Sequence, residues 1–213
     1  MKESKISMFK KERKEIAYFM RRLYTMGLTT TSGGNISMLC DNYVLMTPSA
    51  LDKGRMKAKQ IAILTMDGEN LTPDLKPTSE KDMHIEIYRK NSNVKAIVHA
   101  HPVTASAFAC TNKSISTNMM AEQYAVLGIP ARAKYATMGT MELAKNVAEV
   151  ASRNKIVVMD NHGVLATGKN ILQAFDRIEV LENAAKTTLI TELLNDMNTI
   201  PDSELKLLGE IID

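Results

Sequence analysis

A chain of 213 residues with 27 basic and 24 acidic side chains and 45% hydrophobic residues has the make-up of one globular core, so a single domain over 1–213 is expected. Its net charge of +3 is too balanced for a nucleic-acid binder, and no apolar run approaches membrane-spanning length. Two cysteines and a charged N-terminus without an apolar leader core fit a reduced cytoplasm.

Residues from about Met8 to Met26 recur at helical spacing, with Ile16, Phe19 and Leu23 on one stripe and Gly27 as the stop. The small polar run Thr29 to Ser37, which contains Gly33-Gly34, precedes a short strand. It reads either as a flexible loop or as an anion cradle whose backbone amides approach a phosphate closely. Tyr43–Thr47 and Ala62–Met66 are strands, and Asp67-Gly68 signals a hairpin turn. Ser79 with Asp82 matches an N-capping pattern for a helix that reaches about Lys90.

Val94–Val98 is a buried strand running into His99-Ala100-His101-Pro102. Short helices over 103–111 and Met119–Leu127 follow, and Thr140 caps another that runs to about Arg153. Ile156–Met159 turns at Asn161-His162-Gly163 into Val164–Thr167. Asn170 opens the longest helix, and Asp202 begins a short one after Pro201. Strands and helices interspersed without a regular βαβ beat favour α/β layers around a largely antiparallel sheet.

Three of the chain's four histidines stand at strand ends. His99 and His101, at i and i+2, point to one face, either as a hydrogen-bonded pair or as two ligands of a metal. With His162 they make three nitrogen ligands, the number that leaves a catalytic zinc an open position. Glu80, in the first turn of its helix, would supply the acid/base group such a site needs. Thr78 and Ser79 add hydroxyls and helix N-terminal amides suited to a phosphate. His84, four residues after Glu80, reads as an interior histidine with a backbone partner rather than a group that orients Glu80.

Ser32-Gly33-Gly34-Asn35-Ile36-Ser37, Thr47-Pro48-Ser49, Pro77-Thr78-Ser79-Glu80, His99-Ala100-His101, Tyr135-Ala136-Thr137 and Asn161-His162-Gly163 occur in the order seen in the class II aldolase/adducin family. The chain resembles that family from about residue 10 to 195. The resemblance implies a three-layer α/β/α fold with a mostly antiparallel central sheet, and a homotetramer with its sites at subunit interfaces. It implies one zinc per subunit on His99, His101 and His162, with Glu80 as the acid/base residue. A phosphate site is implied on Gly34, Asn35, Ser49, Ala50, Thr78 and Ser79.

The activity implied is the cleavage of a phosphorylated sugar, L-fuculose 1-phosphate or a related 1-phosphoketose, to dihydroxyacetone phosphate and L-lactaldehyde. Family alternatives are a methylthioribulose 1-phosphate dehydratase and a pentulose 5-phosphate 4-epimerase, the latter usually with aspartate where Glu80 stands. An adducin-like interaction domain is the non-enzymatic alternative. No nucleic acid or membrane partner is implied. Three positions depart from the pattern. Met120 stands where a proton-donating tyrosine is expected, with Tyr124 nearby as a substitute; Met138 replaces an aromatic residue; and no tyrosine follows Tyr135, so the C-terminal tail lacks one.

Overall fold

A computed structural model describes residues 9–212, and at its centre seven strands form one sheet. They are β1 (Asn35–Cys40), β2 (Tyr43–Met46), β3 (Ala62–Thr65), β4 (Ala96–Ala100), β5 (Ala131–Ala133), β6 (Ile156–Met159) and β7 (Gly163–Gly168), in spatial order β3-β2-β1-β4-β7-β6-β5. Every pairing is antiparallel except β5 with β6. The helices are α1 (Lys10–Thr25), α2 (Lys81–Lys90), α3 (Val103–Ala109), α4 (Ala121–Leu127), α5 (Met141–Ala151), α6 (Ile171–Leu194) and α7 (Asp202–Ile212). None of the described helices is long and apolar enough to cross a membrane.

Alternation along the strands creates the layers. Leu45, Val98, Val158 and Val164 join one core with Ile16 and Met20 of α1 and Phe175 and Ile178 of α6. Their chain neighbours Val44, Ile97, Val157 and Leu165 join a second core with Met83 and Ile87 of α2 and Leu143 and Val147 of α5. Side chains two apart share a face of the sheet and adjacent ones do not, so two apolar faces need two helical layers to cover them. The result is the expected three-layer α/β/α arrangement with a mostly antiparallel sheet.

Several local expectations are corrected. The Asp67-Gly68 turn leads only to an isolated bridge between Leu64 and Asn70, not to a second strand of the sheet. Glu80, not Ser79, is the N-cap of α2, and the Thr78 hydroxyl takes the Glu80 amide at 3.3 Å. The strand 94–98 is displaced to Ala96–Ala100, so His99 lies inside the ladder and His101 just beyond it. The helix expected from Met8 begins at Lys10, and Met8 itself lies outside the described residues. β5 carries no apolar run, and its place is fixed by parallel pairing with β6 and by Arg132, which grips Asp160 and the Ala109 and Thr111 carbonyls. Thr140 and Asn170 do cap α5 and α6, accepting from the Leu143 and Gln173 amides.

Candidate metal centre

Strand register brings the site together. β4 lies between β1 and β7, with His99 opposite Asn35 on one side and opposite Leu165 on the other. Ala100 pairs with Val164, one residue past the tight β6–β7 turn that carries His162. A side chain at Gly163 would put its Cβ 2.5 Å from the His101 ring and 2.7 Å from the Ala100 carbonyl, so glycine leaves the room that His101 occupies. The three imidazoles therefore meet at the end of the sheet, with ring centroids 4.7 to 5.8 Å apart.

Their nitrogens converge. One ring nitrogen from each of His99, His101 and His162 lies within 4.8 Å of the others. His99 Nε2 and His101 Nε2 are 3.1 Å apart, close to the separation of about 3.3 Å that tetrahedral zinc–nitrogen bonds of about 2.0–2.1 Å impose. Glu80 closes the cluster from the start of α2, with Oε2 3.3 Å from His99 Nε2 and Oε1 3.1 Å from His162 Nε2.

The chemistry of this donor set fits a cation. His99 Nδ1 lies 2.9 Å from the Val164 carbonyl, which can only accept, so Nδ1 carries the proton and Nε2 of the neutral ring presents a lone pair. That lone pair faces a carboxylate and a second imidazole nitrogen. Burial holds the His99 and His101 imidazoles below their ordinary value, His101 to about 3, so both rings are neutral and ready to ligate. Burial alone would raise the Glu80 carboxyl, but the Asn35 amide donating to Oε2 and the nearby His162 imidazole oppose this and hold the carboxyl below its ordinary value, ionised. Glu80 Oε1 is buried, and although His162 Nε2 lies 3.1 Å away no well-aligned hydrogen bond satisfies it, as expected where a cation or a substrate proton completes the site.

Three loops meet beside this cluster. Gly34 sits at φ +60 with its backbone against the His99 carbonyl, where a Cβ would come within 2.8 Å. The Thr47 amide and hydroxyl pair with Ile36, Pro48 bridges Pro77, and the Ser49 amide donates to the Lys76 carbonyl. Ala50 holds a left-handed φ of 54. Asn35 Nδ2 donates to the Thr78 hydroxyl at 3.2 Å and to Glu80 Oε2 at 2.8 Å. The structure thus gathers Gly34, Asn35, Ser49, Ala50, Thr78 and Ser79 around one end of the sheet; Asn35 and Thr78 are buried, Ser49 is half-buried, and Ala50 and Ser79 are exposed.

Tyr124 is not brought to the cluster within the chain. It lies on α4, which packs against α6 and α7, whereas Glu80 and His84 belong to the α2 layer on the other face of the sheet. Met138 and Tyr135 are exposed on the loop whose Gly139 backbone lies against Ser79.

Lys53 escaped the sequence reading, and the partners of His84 differ from those expected. Lys53 is 1% exposed; its backbone amide donates to Thr31 and its ammonium to the Pro48 carbonyl at 2.7 Å, joining two of the three loops. Lysine is ordinarily a surface residue, so nothing in its sequence setting signals this. His84 is interior as expected, but its partners are side chains: Asn35 Oδ1 at 2.5 Å and Ser37 Oγ at 2.7 Å.

A family profile described as "Class II Aldolase and Adducin N-terminal domain" matches residues 14–189. A 5-deoxy-D-ribulose 1-phosphate aldolase from Bacillus thuringiensis serovar kurstaki is 34% identical over 208 residues, covering 95% of this chain and 96% of its own length. A 3-oxo-tetronate 4-phosphate decarboxylase from Haemophilus influenzae is 34% identical over 172 residues, 78% of this chain and 81% of its own. Among solved structures, an L-fuculose 1-phosphate aldolase superposes with a TM-score of 0.87 at 31% identity, over 93% of this chain and 94% of that one.

Proposed function

The chain belongs to the class II aldolase and adducin family and is a lyase, and from that premise we propose that it is a zinc-dependent aldolase of 1-phosphoketoses. It splits the C3–C4 bond and releases dihydroxyacetone phosphate with a short aldehyde, L-lactaldehyde when the substrate is L-fuculose 1-phosphate. The observation that carries this reading is the convergence of His99, His101 and His162 on the Glu80 carboxylate, with the His99 lone pair directed inward.

Zinc held by the three histidines would supply Lewis acidity to the ketose oxygens beside the breaking bond. Glu80, ionised at rest, carries the proton: as the C3–C4 bond breaks the C4 hydroxyl gives up its proton to become the aldehyde, and through Glu80 a proton reaches the carbon that becomes the hydroxymethyl carbon of dihydroxyacetone phosphate. In the reverse direction Glu80 removes it there and the aldehyde oxygen regains one. Gly34, Asn35, Ser49, Ala50, Thr78 and Ser79 hold the phosphate, and this remote binding aligns the reacting carbons with Glu80. The aldehyde end is the part specific to this chain. Met138, and Met120 which like Tyr124 would come from a neighbouring copy, offer it apolar thioethers, which suits a deoxy sugar whose aldehyde ends in a methyl group. Tyr124 would reach a site only from a neighbouring copy, in a homotetramer with interfacial sites.

Zinc-replete protein incubated with L-fuculose 1-phosphate and 5-deoxyribulose 1-phosphate is expected to release dihydroxyacetone phosphate. No release from any 1-phosphoketose would overturn the reading. Carbon dioxide from a 3-oxo-tetronate 4-phosphate, or water lost from methylthioribulose 1-phosphate, would replace it.

A further inference from the structure

α2 meets β1 through a buried polar seam. Glu80, His84 and Tyr88 recur every four residues along the helix, while Asn35 and Ser37 are two apart on the strand and share one face. Four helical residues rise about 6 Å and two strand residues about 6.6 Å, so the two series stay in step and interdigitate. Asn35 Nδ2 donates to Glu80 Oε2 at 2.8 Å, and Asn35 Oδ1 lies 2.5 Å from His84 Nε2. Ser37 Oγ lies 2.7 Å from His84 Nδ1 and 2.7 Å from the Tyr88 hydroxyl. All five residues are buried.

Chemistry sets the direction of every bond in this series. An ionised carboxylate only accepts, so the Asn35 amide nitrogen must face Glu80 and its oxygen must face His84. His84 then donates from Nε2. A neutral imidazole carries one such proton, so Nδ1 accepts from the Ser37 hydroxyl, and Ser37 in turn accepts from Tyr88. The reverse orientation would set the Asn35 carbonyl against the Glu80 carboxylate. Burial holds His84 far below its ordinary value, to about 3, only partly opposed by the charge of Glu80, so the ring is neutral.

We propose that His84, backed by Ser37 and Tyr88, is a positioning residue that locks the Asn35 amide with its nitrogen toward Glu80 and so fixes the orientation of the proton-carrying carboxylate. This rests on the acid/base reading of Glu80. Without His84 the Asn35 side chain could turn over and present oxygen to Glu80. A seam of polar groups in an otherwise apolar layer is costly unless each is satisfied, and here each bond also determines the next.

Glutamine offers a donor nitrogen and an acceptor oxygen at its tip, as the two ring nitrogens of neutral histidine do, whereas leucine of similar bulk offers neither. In folded, zinc-loaded protein, His84→Leu is expected to lower kcat about tenfold or more, the size seen when a supporting partner of a site residue is lost. KM should change less, and His84→Gln should recover most of kcat. Nitrogen-15 spectra of the wild-type imidazole should show the Nε2–H tautomer with or without zinc. An Nδ1–H tautomer, or a folded His84→Leu with unchanged kcat, would overturn the proposal. The tautomer is read without turnover, so it decides the point if His84→Leu does not fold. It also separates failure of this proposal from failure of the aldolase reading, in which wild type and variants alike would release no dihydroxyacetone phosphate.

Discussion

His99 Nδ1–H donates a hydrogen bond to the Val164 carbonyl, and that bond leaves the other ring nitrogen free for a cation beside Glu80. Glu80→Gln keeps the shape but cannot carry the proton, so it is expected to retain zinc while turnover falls ~10²-fold or more. Unchanged turnover would remove Glu80 from the chemistry. Lys53 makes a prediction of a different kind. Burial lowers its ammonium from an ordinary 10.5 to about 8, so between those values the folded chain has shed a proton that the unfolded chain still holds. Stability attributable to Lys53 therefore rises with pH through that window, and below it the buried charge opposes folding. Urea unfolding at about pH 7 and about pH 10 should show the rise in wild type and its loss in Lys53→Met; an equal rise in both would assign it to other groups.

At the scale of elements, the site depends on how closely β4, β7 and the β6–β7 turn approach one another. Gly163→Ala places a Cβ against both a backbone carbonyl and the His101 ring, so relief must come from the strand pair or from the ligand. A loss of about 1–3 kcal/mol in unfolding free energy is expected, together with weakened zinc binding. Wild-type values in both measurements would show that the turn has slack. These elements also show what the sequence made legible. Apolar runs marked β2, β3, β4, β6 and β7, and capping residues marked α5 and α6, because those signals are local. β5 escaped because three residues, Ala131-Arg132-Ala133, are ordered by pairing with β6 and by contacts of Arg132 distant in sequence. His84 was legible as interior but not as part of a series, because its partners lie on a strand 47 and 49 positions away.

For the whole molecule, two helical layers place Glu80 and Tyr124 on opposite sides of one sheet, so a single chain completes the metal and phosphate parts of the proposed site but not the aldehyde part. Leu189, Ile190, Leu193 and Leu194 are exposed along the last turns of α6, with Leu207 exposed on α7, a surface compatible with association of copies. Sedimentation should report four times the 23.6 kDa chain mass; a monomer active at all concentrations would contradict interfacial sites. The central claim is the metal centre itself, and zinc content measures it most directly. Protein equilibrated with zinc and freed of excess is expected to retain about one equivalent per chain, and folded His162→Ala well under half of that. Full metallation of His162→Ala, or a wild-type chain that takes up no zinc, would contradict the account.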